Sequence, residues 1–299
     1  MKIYSPSQTV TAMKCPMLNS LQREGWRLRD QGKPLLAQIV GKAIAAGLGI
    51  YNGYRKSYEK GGNIAVGTLA VDRSGISKSA MECALVIMAQ EMTQIEKLGY
   101  ILTPASEDYL KTMQDRVCKS ILHYIANDLI PANWRIVDVE CNLGEGAGNA
   151  RPDLIVRDNN GALGVVDYKT LSEYKTQYYR DHIEAYRDSF QMKHYMHFGQ
   201  KVYNESIERF YIASLITQPV KQALHTFEVN PESLELWYQA TTGMWQYMEQ
   251  VELGQAKPWM ASEHKTRFGE CEMYAMCFRY RFDEQAAKHK YIRIEKDIE

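Results

Sequence analysis

The chain has no charge of one sign to spare: 36 basic residues are matched by 36 acidic ones. Composition therefore gives no support to broad electrostatic capture of a polyanion, and a nucleic-acid partner would need a local basic surface. Long apolar runs are also missing. The longest falls far short of the roughly 18 residues that a membrane span requires, and the start, MKIYSPSQTV, has no apolar signal-peptide core. Neither membrane insertion nor secretion is expected, which leaves the cytoplasm. Cysteine is sparse, with six residues at 15, 83, 118, 141, 271 and 277 and none of the dense spacing of a disulfide scaffold. Internal repeats and low-complexity tracts are absent. What remains is a chain of 299 residues and 34.4 kDa, enough to bury a full core as one large domain or two closely packed ones.

The first 130 residues read as mostly helical. Ser5 can cap an opening helix, with Pro6 in its first turn and Gln8 three residues after the cap, and Cys15 falls near its middle or end. Further helical patterns cover about 35–56, 73–98 and 105–128; the glycines of the first mark places where another element packs closely. The character changes at Pro131. Strand patterns follow at 135–143, 153–158 and 162–170, the last two joined by the turn signal DNNG. A helix is expected over about 177–198, then strands at 209–217 and 223–230 and a helix over 231–252. The segment after 281 is charge-dense and reads as a solvated helix or frayed end. This divides the chain into a helical region, 1–130, a mixed core, 131–255, and a C-terminal segment with cysteines and a charged tail, 256–299.

Within the core, RPDLIVRDNNGALGVVDYKT (151–170) sets two carboxylates and a lysine among strand-forming residues. Alternation places Val165, Asp167 and Lys169 on one face of the third strand, and Val166, Tyr168 and Thr170 on the other. Asp153 opens the adjoining strand of the hairpin, and Glu140 on the strand before it can approach the same point. Crowded carboxylates repel one another, and a hard divalent cation is the usual remedy. A lysine beside such a metal can steady or deprotonate an attacking water, the latter where burial lowers its pKa. The plain alternative is a surface ion pair with two solvated acids. On the following helix Gln191 and Tyr195 share a face, so Gln191 can hold Lys169 or the water, and Tyr195 can meet a phosphate or sugar.

The succession of Glu140, RPDLIV with Asp153, VVDYKT with Asp167 and Lys169, and QMKHY with Gln191 and Tyr195 resembles the PD-(D/E)XK nuclease superfamily. More narrowly it is similar to the RecB-like iron–sulfur exonucleases, including the CRISPR-associated adaptation exonucleases and their phage-encoded relatives. The resemblance implies an α/β fold, a restriction-endonuclease-like mixed sheet flanked by helices, with the nuclease core at 131–255. It implies Glu140, Asp153, Asp167 and the Tyr168 carbonyl as ligands of Mg2+ or Mn2+, Lys169 as the group serving the water, and Gln191 and Tyr195 as supports. Many relatives carry a histidine in an early GxxxH setting; the equivalent stretch here, GKAIAAG, has Ala45 at that place.

Cys15, Cys271 and Cys277 carry a second part of the resemblance. Spacing alone is equally compatible with unrelated buried thiols. In the iron–sulfur relatives, one early cysteine and three late ones bind a [4Fe–4S] cluster that staples the chain ends. Here Phe268 stands where the remaining thiol belongs, and His264 is the nearest substitute ligand. A site of three thiolates and a histidine takes either a cluster or Zn2+, and the same letters are compatible with a degenerate, empty site. Cys83, Cys118 and Cys141 fit ordinary core positions.

The function implied is metal-dependent hydrolysis of DNA, by an exonuclease acting on single strands or free ends in recombination, repair or spacer acquisition. A phage origin would put it in the host cytoplasm. Lys175, Arg180, Arg187, Lys193 and His194 are candidate DNA contacts, with Tyr174, Tyr178 and Tyr179 available for stacking, offset in part by Asp181, Glu184 and Asp188. A homo-oligomer or a helicase partner would give processivity. The rival readings are a nuclease-fold DNA-binding or assembly module without turnover, and a site-specific endonuclease.

Overall fold

The computed structural model describes residues 2–28, 32–60, 69–97, 107–127, 129–144, 146, 148, 150–171, 176–259, 265–266, 269–270, 273, 275–279, 281–287 and 290–293. Helices α1 (Pro6–Lys14) and α2 (Pro16–Arg23) lead into a short strand β1 (Trp26–Leu28). Three long helices follow, α3 (Gly32–Lys60), α4 (Leu69–Lys97) and α5 (Glu107–Asn127). The core then runs β2 (Arg135–Val139), β3 (Leu154–Arg157), β4 (Leu163–Leu171), α6 (Thr176–Glu184), α7 (Phe190–Tyr203), β5 (Ile207–Thr217), β6 (Val220–Glu228) and α8 (Pro231–Glu252). The C-terminal segment holds β7 (Lys265–Thr266), β8 (Gly269–Glu270), a π-helical turn (Ala275–Arg279), α9 (Glu284–Ala287) and β9 (Tyr291–Arg293).

Local chemistry sets several of these boundaries. Ser5 and Gln8 form a reciprocal capping box at the start of α1, and Cys15 ends that helix while its sulfur accepts the Leu18 N–H at the start of α2. Asp158 closes the β3–β4 turn by accepting the N–H groups of Asn160 at 2.8 Å and Ala162 at 3.0 Å. Gly161 supplies the left-handed residue that this turn needs, at φ +80°.

The central sheet has the order β2-β3-β4-β5-β6, antiparallel throughout except for the parallel β4–β5 pair. That one parallel step needs a crossover, which α6 and α7 provide. Each sheet face is covered by helices. Val166 and Tyr168 of β4 join residues of α3, α4 and α5 in one apolar cluster, whereas Val165 joins residues of α1, α7 and α8 in another. Mixed sheet, flanking helices and helical N-terminal part agree with the sequence reading.

Two expectations need correction. The single helix over 177–198 is two helices, because residues 185–188 turn and Ser189 caps a new helix by accepting the Met192 N–H. The charged tail is not frayed where it is described: β9 pairs antiparallel with β1, matching Trp26 with Arg293 and Leu28 with Tyr291. Tyr291 is buried in a small core with Leu21, Trp26, Met273, Ala275, Met276 and Ala287. Alternating charge along the tail hid one inward-facing aromatic.

The tightest approach within the helical layer is at Gly47. A Cβ there would lie 2.6 Å from Ile121 Cδ1 and 2.7 Å from the Ala80 carbonyl oxygen. Helix propensity alone favours Gly47→Ala by ~1 kcal/mol, but the clash is expected to win and destabilise by about 1–3 kcal/mol. Urea unfolding decides the sign, and a gain in stability would mean that α4 and α5 do not press on this turn of α3.

Candidate active site

Pairing between β3 and β4 stops at Leu154–Val166, while β4 continues beside β5 as far as Leu171. Residues 167–169 therefore line a notch, with a neighbouring strand on one side and loop on the other. Beyond the last rung the Tyr168 N–H donates to Asp153 Oδ2 at 2.6 Å, which fixes one carboxylate at the mouth of the notch. The backbone carbonyl of Asp153 accepts the Glu140 N–H at 2.9 Å.

Asp167 is buried and forms an ion pair with Lys169 through Oδ2, without the alignment of a hydrogen bond, so that oxygen retains acceptor capacity. Lys169 Nζ donates to Gln191 Oε1 at 3.2 Å. The amide nitrogen of Gln191 in turn donates to Asp167 Oδ1 at 3.3 Å and to the Tyr195 hydroxyl at 2.7 Å. One side chain of α7 thus holds the carboxylate, the ammonium and the phenol together. The face-sharing expected of Asp167 with Lys169, and of Gln191 with Tyr195, is present.

Electrostatics follow from this crowding. Burial, then repulsion from Asp167, pushes Asp153 up to about 8. Burial also raises Asp167, against the pull of Lys169. For Lys169 burial opposes the charge, yet Asp167 outweighs it and holds the ammonium above its ordinary range. With no metal on Asp167, Lys169 is therefore held as an ammonium and not lowered into a general base. Burial and Asp167 push Tyr195 up to about 12, so the phenol keeps its proton.

Glu140 is the exposed member of the three acids, and its charge adds to the rise at Asp153. It lies one residue beyond β2 with φ +45°, a left-handed conformation that costs a non-glycine residue ~1–2 kcal/mol. Its carboxylate is 3.8 Å from Arg151, and a Cβ at Gly49 of α3 would meet its Oε1 at 3.2 Å. Among the described residues no group of three or more His, Cys, Asp or Glu is assembled for a metal. The chemistry of the donor set still fits a small hard cation: Mg2+ is commonly held by one or two carboxylates and completes its shell with water and substrate oxygens.

Beneath the notch lies a network that the sequence did not point to. Asn52 Nδ2 donates to the hydroxyls of Tyr168 at 2.7 Å and Tyr124 at 3.2 Å, tying α3 and α5 to the active strand. All three groups are buried, so each must find a partner inside. The only sequence signal was polar residues on apolar helix faces, which is too common to single them out.

Several proposed DNA contacts are corrected. His194 is fully buried beside Phe198 and Trp245, and Tyr179 is buried with its hydroxyl on Ser214 and His225. Arg180 and Arg187 are exposed, and Arg187 and Lys193 pair with Glu184 and Asp188. Tyr174, Lys175 and the side chain of Tyr178 lie outside the described residues, as do His264 and Cys271 of the cysteine site. Cys15 and Cys277 are part-buried. Ala45, at the place of the early histidine, packs against the helical cluster.

A family model described as the PD-(D/E)XK nuclease superfamily matches residues 4–278. The chain belongs to that superfamily. Nuclease chemistry and interaction with DNA are what the superfamily carries. Among solved structures, the crystal structure of a "Putative exonuclease" from Eubacterium rectale is similar at 13% identity, covering 100% of this chain and 91% of that one, with a TM-score of 0.42. At that level the likeness carries no argument. No curated protein matches. No described helix of this PD-(D/E)XK chain is long and apolar enough to cross a membrane.

A raised carboxyl binds more protons folded than unfolded between its ordinary range near 4 and its folded pKa of about 8. Its contribution to metal-free stability is accordingly lost as pH rises through that window. Asp153→Asn keeps an acceptor for the Tyr168 N–H without the charge. In chelator it is expected to gain about 1 kcal/mol or more at pH 8 and almost nothing at pH 4; thermal melts that show the same change at both pH values would reject a raised Asp153.

Proposed function

We propose that the protein is a metal-dependent deoxyribonuclease that hydrolyses phosphodiester bonds as an exonuclease on single strands or free ends. The observation that carries this reading is the pair of part-buried Asp153 and buried Asp167 with Lys169 fixed beside it by Gln191. Bound Mg2+ or Mn2+ would neutralise charge on the phosphate and acidify a water. Asp153, Asp167 and the Tyr168 carbonyl are the groups to hold it, with Glu140 reaching it directly or through water once released from Arg151.

Lys169 acts as a cation. Its remaining donor capacity steadies the attacking water and the charge that develops on the phosphate, which costs no proton transfer from the lysine. Gln191 keeps ammonium and carboxylate in register, and Tyr195, still protonated, faces the same point and can donate to a phosphate oxygen. Preference for ends or single strands rests on the similarity to RecB-like exonucleases, as do roles in recombination, repair or spacer acquisition.

Release of end label from linear single- and double-stranded DNA, with Mg2+, Mn2+ or chelator, tests the reaction. Activity is expected only with metal, and Lys169→Ala is expected to cost about 100-fold or more. Cutting of a covalently closed circle would replace the exonuclease reading with an endonuclease one. Inactivity of folded wild-type protein on every DNA would favour the binding module.

The cysteine site belongs to the same proposal. Cys15, His264, Cys271 and Cys277 would hold a [4Fe–4S] cluster, or Zn2+, in addition to the β1–β9 pairing. Metal and sulfide analysis of anaerobically purified protein is expected to find iron and sulfide that fall in Cys277→Ser. Zinc alone would replace the cluster, and neither metal would remove the site.

A further inference from the structure

The turn between α6 and α7 places an additional side chain on the proposed catalytic lysine. Lys169 Nζ lies 5.5 Å from the centroid of the Tyr186 ring, within the reach of a cation–π contact. Tyr186 is part-buried at the edge of the cluster that also contains Tyr195 and Val165. Its hydroxyl is 3.2 Å from His182 Nε2, and the two rings meet edge-on with centroids 5.3 Å apart. His182 is one turn earlier, on α6, so the ring is held from behind by the helix before the break.

Had residues 177–198 formed the single helix expected from sequence, the turn that carries Tyr186 to Lys169 would not exist. The N–H of Tyr186 bonds the Ile183 carbonyl at 3.0 Å and that of Ser189 bonds the Tyr186 carbonyl at 2.9 Å, so the turn itself is defined. Lys169 therefore has three kinds of neighbour: the Asp167 carboxylate, the Gln191 carbonyl and an aromatic face. The first fixes the ammonium by charge and the second by a hydrogen bond, along directions set by β4 and α7. The third closes off another approach without competing for its protons.

We propose that Tyr186 is a positioning residue for Lys169, its ring face confining the ammonium between Asp167 and Gln191, with His182 orienting the ring. The inference rests on the nuclease reading for its catalytic consequence, but the contact itself is independent of that reading. A neutral aromatic face suits this place better than a carboxylate, which would draw Lys169 away from Asp167, or an aliphatic side chain, which would offer the ammonium no attraction.

Lysine labelled with 13C at Cε, in full-length protein, reports the contact directly. The Lys169 Hε signal, assigned by Lys169→Arg, is expected to be shifted upfield by the ring, to keep that shift in Tyr186→Phe and to lose it in Tyr186→Leu. In nuclease assays Tyr186→Leu is expected to lower kcat about 10- to 100-fold with KM and Mn2+ affinity little changed, and Tyr186→Phe to recover most of the loss. His182→Ala should fall between the two. An unshifted Lys169 signal in the wild type, or full kcat in Tyr186→Leu, overturns the proposal. A shifted signal in a wild type that cuts no DNA would instead overturn the nuclease reading and leave the contact standing.

Discussion

Two carboxylates and one ammonium, forced together where a sheet loses a strand, set the terms for the rest of the molecule. Burial raises the pKa values of Asp153 and Asp167, repulsion from Asp167 adds to the rise at Asp153, and Lys169 offsets only part of that cost. Such a cluster persists only where its surroundings over-determine it. The α3–α5 layer holds β4 from one side through Asn52, Tyr124 and Tyr168, and α7 holds it from the other through Gln191. Both layers are consequently part of the site even though few of their residues can reach a substrate.

The notch follows from simple strand arithmetic. β3 has four residues and β4 nine, so the longer strand runs on after pairing ends and exposes its N–H groups on that side. Asp153 takes up the first of them. Glu140 bonds the Asp153 carbonyl through its backbone, while its carboxylate lies near Gly49 and Arg151. One buried, one part-buried and one exposed acid suit a cation that completes its shell with water and substrate.

Charge is used locally. With equal numbers of acids and bases, net charge gives the protein no long-range pull on DNA. The Gln–Tyr helix contributes less to any such surface than its letters suggested: His194 and Tyr179 serve the core, and Arg187 and Lys193 are engaged by acidic neighbours. The chain ends, meanwhile, meet through β1, β9 and a small apolar core that includes part-buried Cys277, giving the C-terminal segment an attachment of its own.

The sequence by itself determined the periodic elements, the face of β4 that carries Asp167 and Lys169, and the pairing of Gln191 with Tyr195, since alternation and helical spacing are properties of neighbouring residues. It also held the order of motifs that marks the superfamily. Only the tertiary structure decided that Glu140 faces Arg151, that Lys169 is held charged and that Tyr186 reaches it across a helix break. Each of these depends on groups brought together from distant elements, where burial and through-space charge have no counterpart in local spacing. The break was faintly legible, in Ser189 as a cap; the β9 strand was not, because its partner lies some 260 residues away and a single buried Tyr291 makes no pattern.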